Sequence, residues 1–178
     1  MTDDNYDVYD DYEEFDKVFD CLKLILEEDP SNEEALYKIC FWTDFTGRNE
    51  ESIRLHQQII EEQPFSELAW FNLAAAYQGL KLYEKAIDAY DYAILIKENF
   101  ASAYYNKGNA LVQLDKYQEA IDAYKQSLRL NPSDADTRYN LAYAQSKLQA
   151  QQQSQQNKDQ KNDKKENQQK LHQSPLCC

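Results

Sequence analysis

ASAYYNKGNALVQLDKYQEAIDAYKQSLRLNPSD, residues 101–134, returns one period of 34 residues earlier as ELAWFNLAAAYQGLKLYEKAIDAYDYAILIKENF, residues 67–100, and again, more faintly, across residues 33–66. A fixed period is read before any local signal, because units that stack on one another decide the whole fold. In the last copy the fixed places hold Tyr104, Gly108, Leu111, Ala120, Tyr124, Ser127 and Pro132. One period back they hold Trp70, Ala74, Tyr77, Ala86, Tyr90, Ala93 and Glu98; in the first copy, Leu36, Cys40, Thr43, Ser52, His56, Ile59 and Pro64.

Within each copy the apolar residues recur at steps of three and four, which is the helical period. Two helices per copy are expected, near 33–45 and 49–62, 67–80 and 83–96, 101–114 and 117–130, with another near 135–149 and a leading helix over 12–28 that turns Val18, Leu22 and Ile25 inward. Cys40, Ala74, Gly108 and Ala142 share one register position, and Ser52, Ala86 and Ala120 share another. Small side chains there let paired helices approach closely, with Trp70, Tyr104, Tyr90 and Tyr124 beside them. Asn131-Pro132-Ser133-Asp134 ends one helix and caps the next, since proline cannot continue a helix and Ser or Asp accepts from free backbone N–H groups.

These places carry a resemblance to the tetratricopeptide repeat (TPR) family across residues 12–148. The departures are Thr43, Ser52, His56 and Glu98, and they bear on the tightness of the first repeat. The resemblance implies an all-α solenoid, a right-handed superhelix of antiparallel helix pairs. The expected organisation is an acidic frayed segment 1–11, an array over 12–149 (half-repeat 12–32, repeats 33–66, 67–100 and 101–134, capping helix 135–149) and a tail 150–178. The implied function is a non-catalytic protein-interaction module.

In this family the first helix of each repeat lines a concave groove. Carried onto this chain, the fifth position gives Tyr37, Phe71, Tyr105 and Tyr139, the sixth Lys38, Asn72, Asn106 and Asn140, and the ninth Phe41, Ala75, Asn109 and Tyr143. Asp44, Phe45, Gln78, Val112 and Gln113 follow at the twelfth and thirteenth positions. Asparagine offers both donors and acceptors to a peptide backbone, and aromatic faces give large contact area at small entropic cost. The expected peptide-binding set is Tyr37, Lys38, Phe41, Phe71, Asn72, Tyr105, Asn106, Asn109, Tyr139, Asn140 and Tyr143; each ring or amide has packing between helices as its alternative role. Chaperone-binding TPRs clamp a peptide's C-terminal carboxylate with two Asn plus Lys and Arg. Asn109 and Asn140 match the two Asn positions, but Tyr105 stands where the Lys is expected. A carboxylate would lack its charge-assisted bonds there, so a clamp is not expected.

The formal charge of −13 is uneven: −12 over residues 1–34, −3 over 35–148 and +2 over 149–178. Without a basic face, nucleic acid is excluded as a partner; the acidic end favours partners with basic residues. No stretch approaches the roughly 18 apolar residues of a membrane span, so no direct membrane insertion is expected, and the start lacks the basic and apolar runs of a signal peptide, which predicts a cytoplasmic protein. No cofactor or metal is expected: four cysteines and two histidines make no ligand spacing. Gly-rich phosphate loops, HExxH and GxSxG are missing from the sequence. His56 sits at a packing position.

After Leu148 the composition becomes QAQQQSQQNKDQKNDKKENQQKLHQ, with ten glutamines in 25 residues. Such a stretch cannot bury enough apolar area to offset an ordering cost of about 1–2 kcal/mol per residue, so 152–178 is expected to be disordered. The tail resembles that of aerotolerance-operon TPR proteins of anaerobic bacteria, which implies a second reading: a component or assembly factor of a bacterial stress membrane complex acting through the Gln-rich tail.

Overall fold

The structure, a computed structural model, describes the backbone of residues 8–172 and the side chains of 14–157 and 161. Residues 1–7 of the acidic segment and the terminal Cys177-Cys178 lie outside the described residues. Eight helices follow in order among the described residues: α1 Val8–Glu28, α2 Glu33–Thr46, α3 Asn49–Glu62, α4 Glu67–Gly79, α5 Tyr83–Ile96, α6 Ala101–Gln113, α7 Tyr117–Leu130 and α8 Ala135–His172. From α2 onward their starts fall where the repeat register places them, whereas α1 begins at Val8, ahead of the expected residue 12 and inside the segment expected to be frayed. Each stacks mainly on its chain neighbours, α4 on α5 and α6 on α7 within pairs, α3 on α4, α5 on α6 and α7 on α8 between them.

The repeat boundaries are made by the residue just before each first helix. Asn32 Oδ1 accepts from Ala35 N (2.9 Å), Ser66 Oγ from Ala69 N (3.3 Å), and Asp134 Oδ1 from Asp136 N (3.0 Å) and Thr137 N (3.2 Å). Phe100 occupies the same register without a side-chain cap, forgoing about 1 kcal/mol. Between paired helices the chain makes a left-handed turn at Gly47 (φ 69°), Lys81 (φ 60°) and Asp115 (φ 56°), again one register position.

The core runs along the stack as three apolar clusters, centred on Leu36, Ile39 and Ile59; on Leu73, Ala86 and Tyr90; and on Leu111, Ile121 and Tyr124. The small positions act as expected in the later copies. A Cβ placed on Gly108 would lie 2.5 Å from Tyr124 Cε1, so the α6–α7 contact depends on that missing methyl.

Three local expectations change. In α1 the fully buried residues are Phe19 and Leu26, while Ile25 is 41% exposed, because no described helix packs on the side that Ile25 faces. Ala142 is exposed rather than inward, since no described helix follows α8 to pack on it; Ala144 is buried instead. Residues 152–172, expected to be disordered, continue α8 as helix. The described side chains from Gln149 to Asn157 are all exposed, as is Lys161, in keeping with the composition of the stretch. Its helix rests on good helix formers, Gln, Lys, Glu and Ala, extending a helix already nucleated by packing.

An ionic staple joins α1 to α3. Arg48 pairs with Asp20 (2.7 Å) and Glu51 (2.5 Å) and lies 4.3 Å over the Phe19 ring, while Lys23 reaches Glu51 at 2.7 Å.

Candidate functional site

The first helices of the pairs, α2, α4, α6 and α8, form one wall, and the predicted groove residues line two cavities along it. The first, about 570 Å³, is bounded by Tyr37, Lys38, Cys40, Phe41, Trp42, Leu68, Phe71, Asn72, Phe100, Ser102, Tyr105 and Asn106. The second, about 360 Å³, is bounded by Asn109, Val112, Gln113, Tyr124, Tyr139, Asn140 and Tyr143. Every residue of the expected set therefore borders one cavity or the other. Tyr37 (76%), Phe41 (63%) and Tyr139 (73%) are far more exposed than a packing role requires.

The amides separate into three kinds. Asn72 is 2% exposed, and its Nδ2 donates to the Leu36 carbonyl (2.6 Å) and meets His56 Nε2 at 3.2 Å. It borders the cavity but is committed to holding α2 against α4, which takes it out of the expected binding set. Asn109 and Asn140 are half committed: Asn109 Oδ1 accepts from Tyr124 OH (2.7 Å) and Asn140 Nδ2 (2.9 Å), and Asn140 Nδ2 also reaches Tyr105 OH (3.3 Å). Asn109 keeps its NH2 and Asn140 its carbonyl oxygen for another molecule. Asn106 makes no hydrogen bond through its side chain to any described residue, and stands half-buried in the wall of the first cavity.

Behind the wall His56 is fully buried. Its Nδ1 lies 2.8 Å from the Ser52 carbonyl and 3.2 Å from Ser52 Oγ. Burial holds the imidazole down at about 4, so it is neutral at pH 7 and enclosed, a packing group rather than a base open to substrate. Burial also pushes the Cys40 thiol up to about 12, which leaves it as unreactive filler. No group of His, Cys, Asp or Glu among the described residues could hold a metal ion, and no described helix is long and apolar enough to cross a membrane.

Leu68, Ser102, Phe100 and Trp42 line the first cavity without having been read from the sequence as groove residues. Phe100 packs at 5.0 Å, tilted, against Phe71; its signal was the break in the capping register, an aromatic where Asn32, Ser66 and Asp134 stand. Trp42 borders the cavity from a position outside the family's groove pattern, and Phe15 of α1 reaches it at 5.4 Å; nothing in the repeat period points to that contact.

Stacked antiparallel helix pairs with a concave wall of open rings and amides define a helical-repeat interaction module. Family models described as tetratricopeptide repeat and TPR repeat match residues 45–103 and 108–149. The chain belongs to the tetratricopeptide-repeat family, as those matches and the helix register together show. Among curated proteins none matches in sequence. Of solved structures, a crystal structure of MamA is similar over 92% of this chain and 99% of its own, at 21% identity and TM-score 0.63. An NMR structure of the first TPR domain of human RPAP3 covers 67% of this chain and 94% of its own, at 24% identity and TM-score 0.63. The first TPR of Spaghetti (RPAP3) bound to the HSP90 peptide SRMEEVD covers 64% of this chain and 90% of its own, at 24% identity and TM-score 0.60.

Proposed function

We propose that the chain binds an extended segment of a partner protein along the wall formed by α2, α4, α6 and α8. The observation that carries the reading is Asn106: a half-buried amide with no partner of its own among the described residues. Its amide is open to solvent in the free chain and is not tied up within the fold, and a peptide backbone lying along the wall satisfies both its donor and its acceptor. The free NH2 of Asn109 and free oxygen of Asn140 continue the same line, with Tyr139 and Tyr143 flanking them.

The similar RPAP3 domain holds an acidic HSP90 peptide. Here the second cavity has no Lys or Arg in its lining, and its two asparagines are bonded to each other, so a bound segment is held by its backbone and side chains rather than by a terminal carboxylate.

The test starts from a pulldown with the full chain, mass spectrometry of what is retained, and scanning peptides of that partner. Asn106→Ala together with Tyr139→Ala is expected to weaken the binding peptide by about 1–3 kcal/mol, with helicity by circular dichroism unchanged. Unaltered affinity in an intact fold would move the site off this wall, to the convex face or to the exposed continuation of α8.

A further inference from the structure

Resting on that reading, we infer that the segment bound at the first cavity carries an apolar side chain together with a lysine or arginine, the apolar group seated against Phe71 and Phe100 and the cation held by Asp44 beside the Phe41 and Phe45 rings.

Phe100 is the first support. Its register position elsewhere supplies a capping oxygen to the helix that follows, and here it gives an aromatic ring to the cavity, tilted against Phe71 and sharing the lining with Leu68 and Tyr105. The exception to the cap falls at the cavity, while Asn32, Ser66 and Asp134 keep theirs; the ring packs on the core with Phe71 and leaves an apolar edge to the cavity.

Charge is the second support. Around the first cavity the other charged groups are engaged: Lys38 with Glu34 at 2.6 Å, Glu67 with Lys97 at 2.9 Å, and Arg48 with Asp20 and Glu51. Asp44 makes no ion pair or hydrogen bond through its side chain among the described residues. It stands one helical turn beyond Phe41, next to the cavity but outside its lining. It lies open on the concave surface, yet its surroundings shield it from enough water to raise its carboxyl above the usual range. Its charge is felt by Cys40 and by the buried Tyr90. A carboxylate in that position is stabilised by a cation. A lysine or arginine suits it best, because its methylene stem covers an apolar surface while its head stays polar and the faces of Phe41 (63% exposed) and Phe45 (47% exposed) attract positive charge. The acidic first 34 residues, at −12, add attraction from a distance.

The experiment is selection from a random peptide display library on the full chain, with counter-selection on the Asn106→Ala/Tyr139→Ala variant so that only wall-dependent peptides remain. The expected peptides pair a large apolar residue with Lys or Arg. Synthetic copies should lose at least about tenfold in affinity on Asp44→Asn, lose the same on replacing their cation by norleucine, and show no further loss when both changes are combined. Raised salt should weaken the wild-type complex more than that of Asp44→Asn, which keeps only the long-range attraction of the acidic start. Phe100→Asn, which restores a capping side chain, should weaken peptides of either charge alike. Wall-dependent peptides that lack a cation, or that bind Asp44→Asn as tightly, overturn this inference and leave the groove standing. Failure to enrich any wall-dependent peptide overturns the groove and this inference with it.

Discussion

The two halves of the groove are built by opposite means. At the C-terminal half, α6 and α7 close on each other through a missing methyl and a large ring, Gly108 against Tyr124. At the N-terminal half the same two positions hold Cys40 and His56, a larger residue facing a smaller one. There α2 touches α3 only slightly and packs on α1 and α4 instead. The space is taken by a polar hub in which Asn72 spans from His56 to the Leu36 carbonyl, while buried Thr43 returns its hydroxyl to Ile39 at 2.8 Å. The packing of α2 on α4 gathers Phe41, Phe71 and Phe100 around the larger, more apolar cavity, whereas the wall between α6 and α8 is bridged by Asn109, Asn140 and Tyr105. One repeat thus yields an apolar and a polar subsite by exchanging what fills two register positions.

The apolar junction should be the costlier to empty. Tyr124 is 1% exposed, and Tyr124→Ala is expected to cost about 3–5 kcal/mol in urea unfolding. A loss below that of the corresponding His56→Ala variant would reverse the comparison.

Acid should attack the other half. Burial holds the folded His56 at about 4, against about 6.5 in an unfolded chain. Between those values the unfolded state binds a proton that the folded state does not, so stability is fully present above about pH 6.5 and falls as the pH drops toward about 4, by about 3 kcal/mol in all. Hydrogen exchange across that range should show α2, α3 and α4 losing protection before α6 and α7, and His56→Gln should remove most of the slope. Equal loss at both junctions would mean that the hub is not what titrates.

Asn72→Ala leaves the Leu36 carbonyl and His56 Nε2 without their partner, and is expected to cost about 1–3 kcal/mol. Asn106→Ala, at the same register one copy on, should cost little, because its side chain bonds nothing in the fold. The pair of variants tests whether equal repeat positions do unequal work; similar shifts would refute it.

Most of the helix pattern was legible, because period, small residues and turn prolines are local signals repeated in register. The groove was legible only as a face. Lys38, Asn72, Asn106 and Asn140 are one class in the sequence, yet they become a solvent-exposed ion-pair member, a buried strut, a free amide and a bridge. What separates them is long-range packing: α2 packs on α4 and only slightly on α3, and Asn72 bonds across to His56 and the Leu36 carbonyl. Composition indicated that the residues beyond Leu148 bury nothing, but could not weigh helix propensity against disorder once a packed helix was there to extend.

The smallest effect concerns the turn that both halves share. Gly47, Lys81 and Asp115 all take the left-handed conformation. Glycine adopts it freely, aspartate tolerates it, and lysine resists it because its Cβ crowds the backbone, by about 1–2 kcal/mol. Lys81 forms no ion pair among the described residues and is exposed, so Lys81→Gly removes strain and little else. Glycine also gains freedom in the unfolded chain, about 0.5–1 kcal/mol, which offsets part of the relief. The net expectation is a gain of up to about 1 kcal/mol, read as a higher urea midpoint. Gly47→Ala should run the other way: no atom stands within 4 Å of its added Cβ, so any loss there reports backbone strain alone. If Lys81→Gly destabilises while Gly47→Ala is neutral, the turn is not a shared left-handed element, and the first pair differs from the others in its connection as well as in its filling.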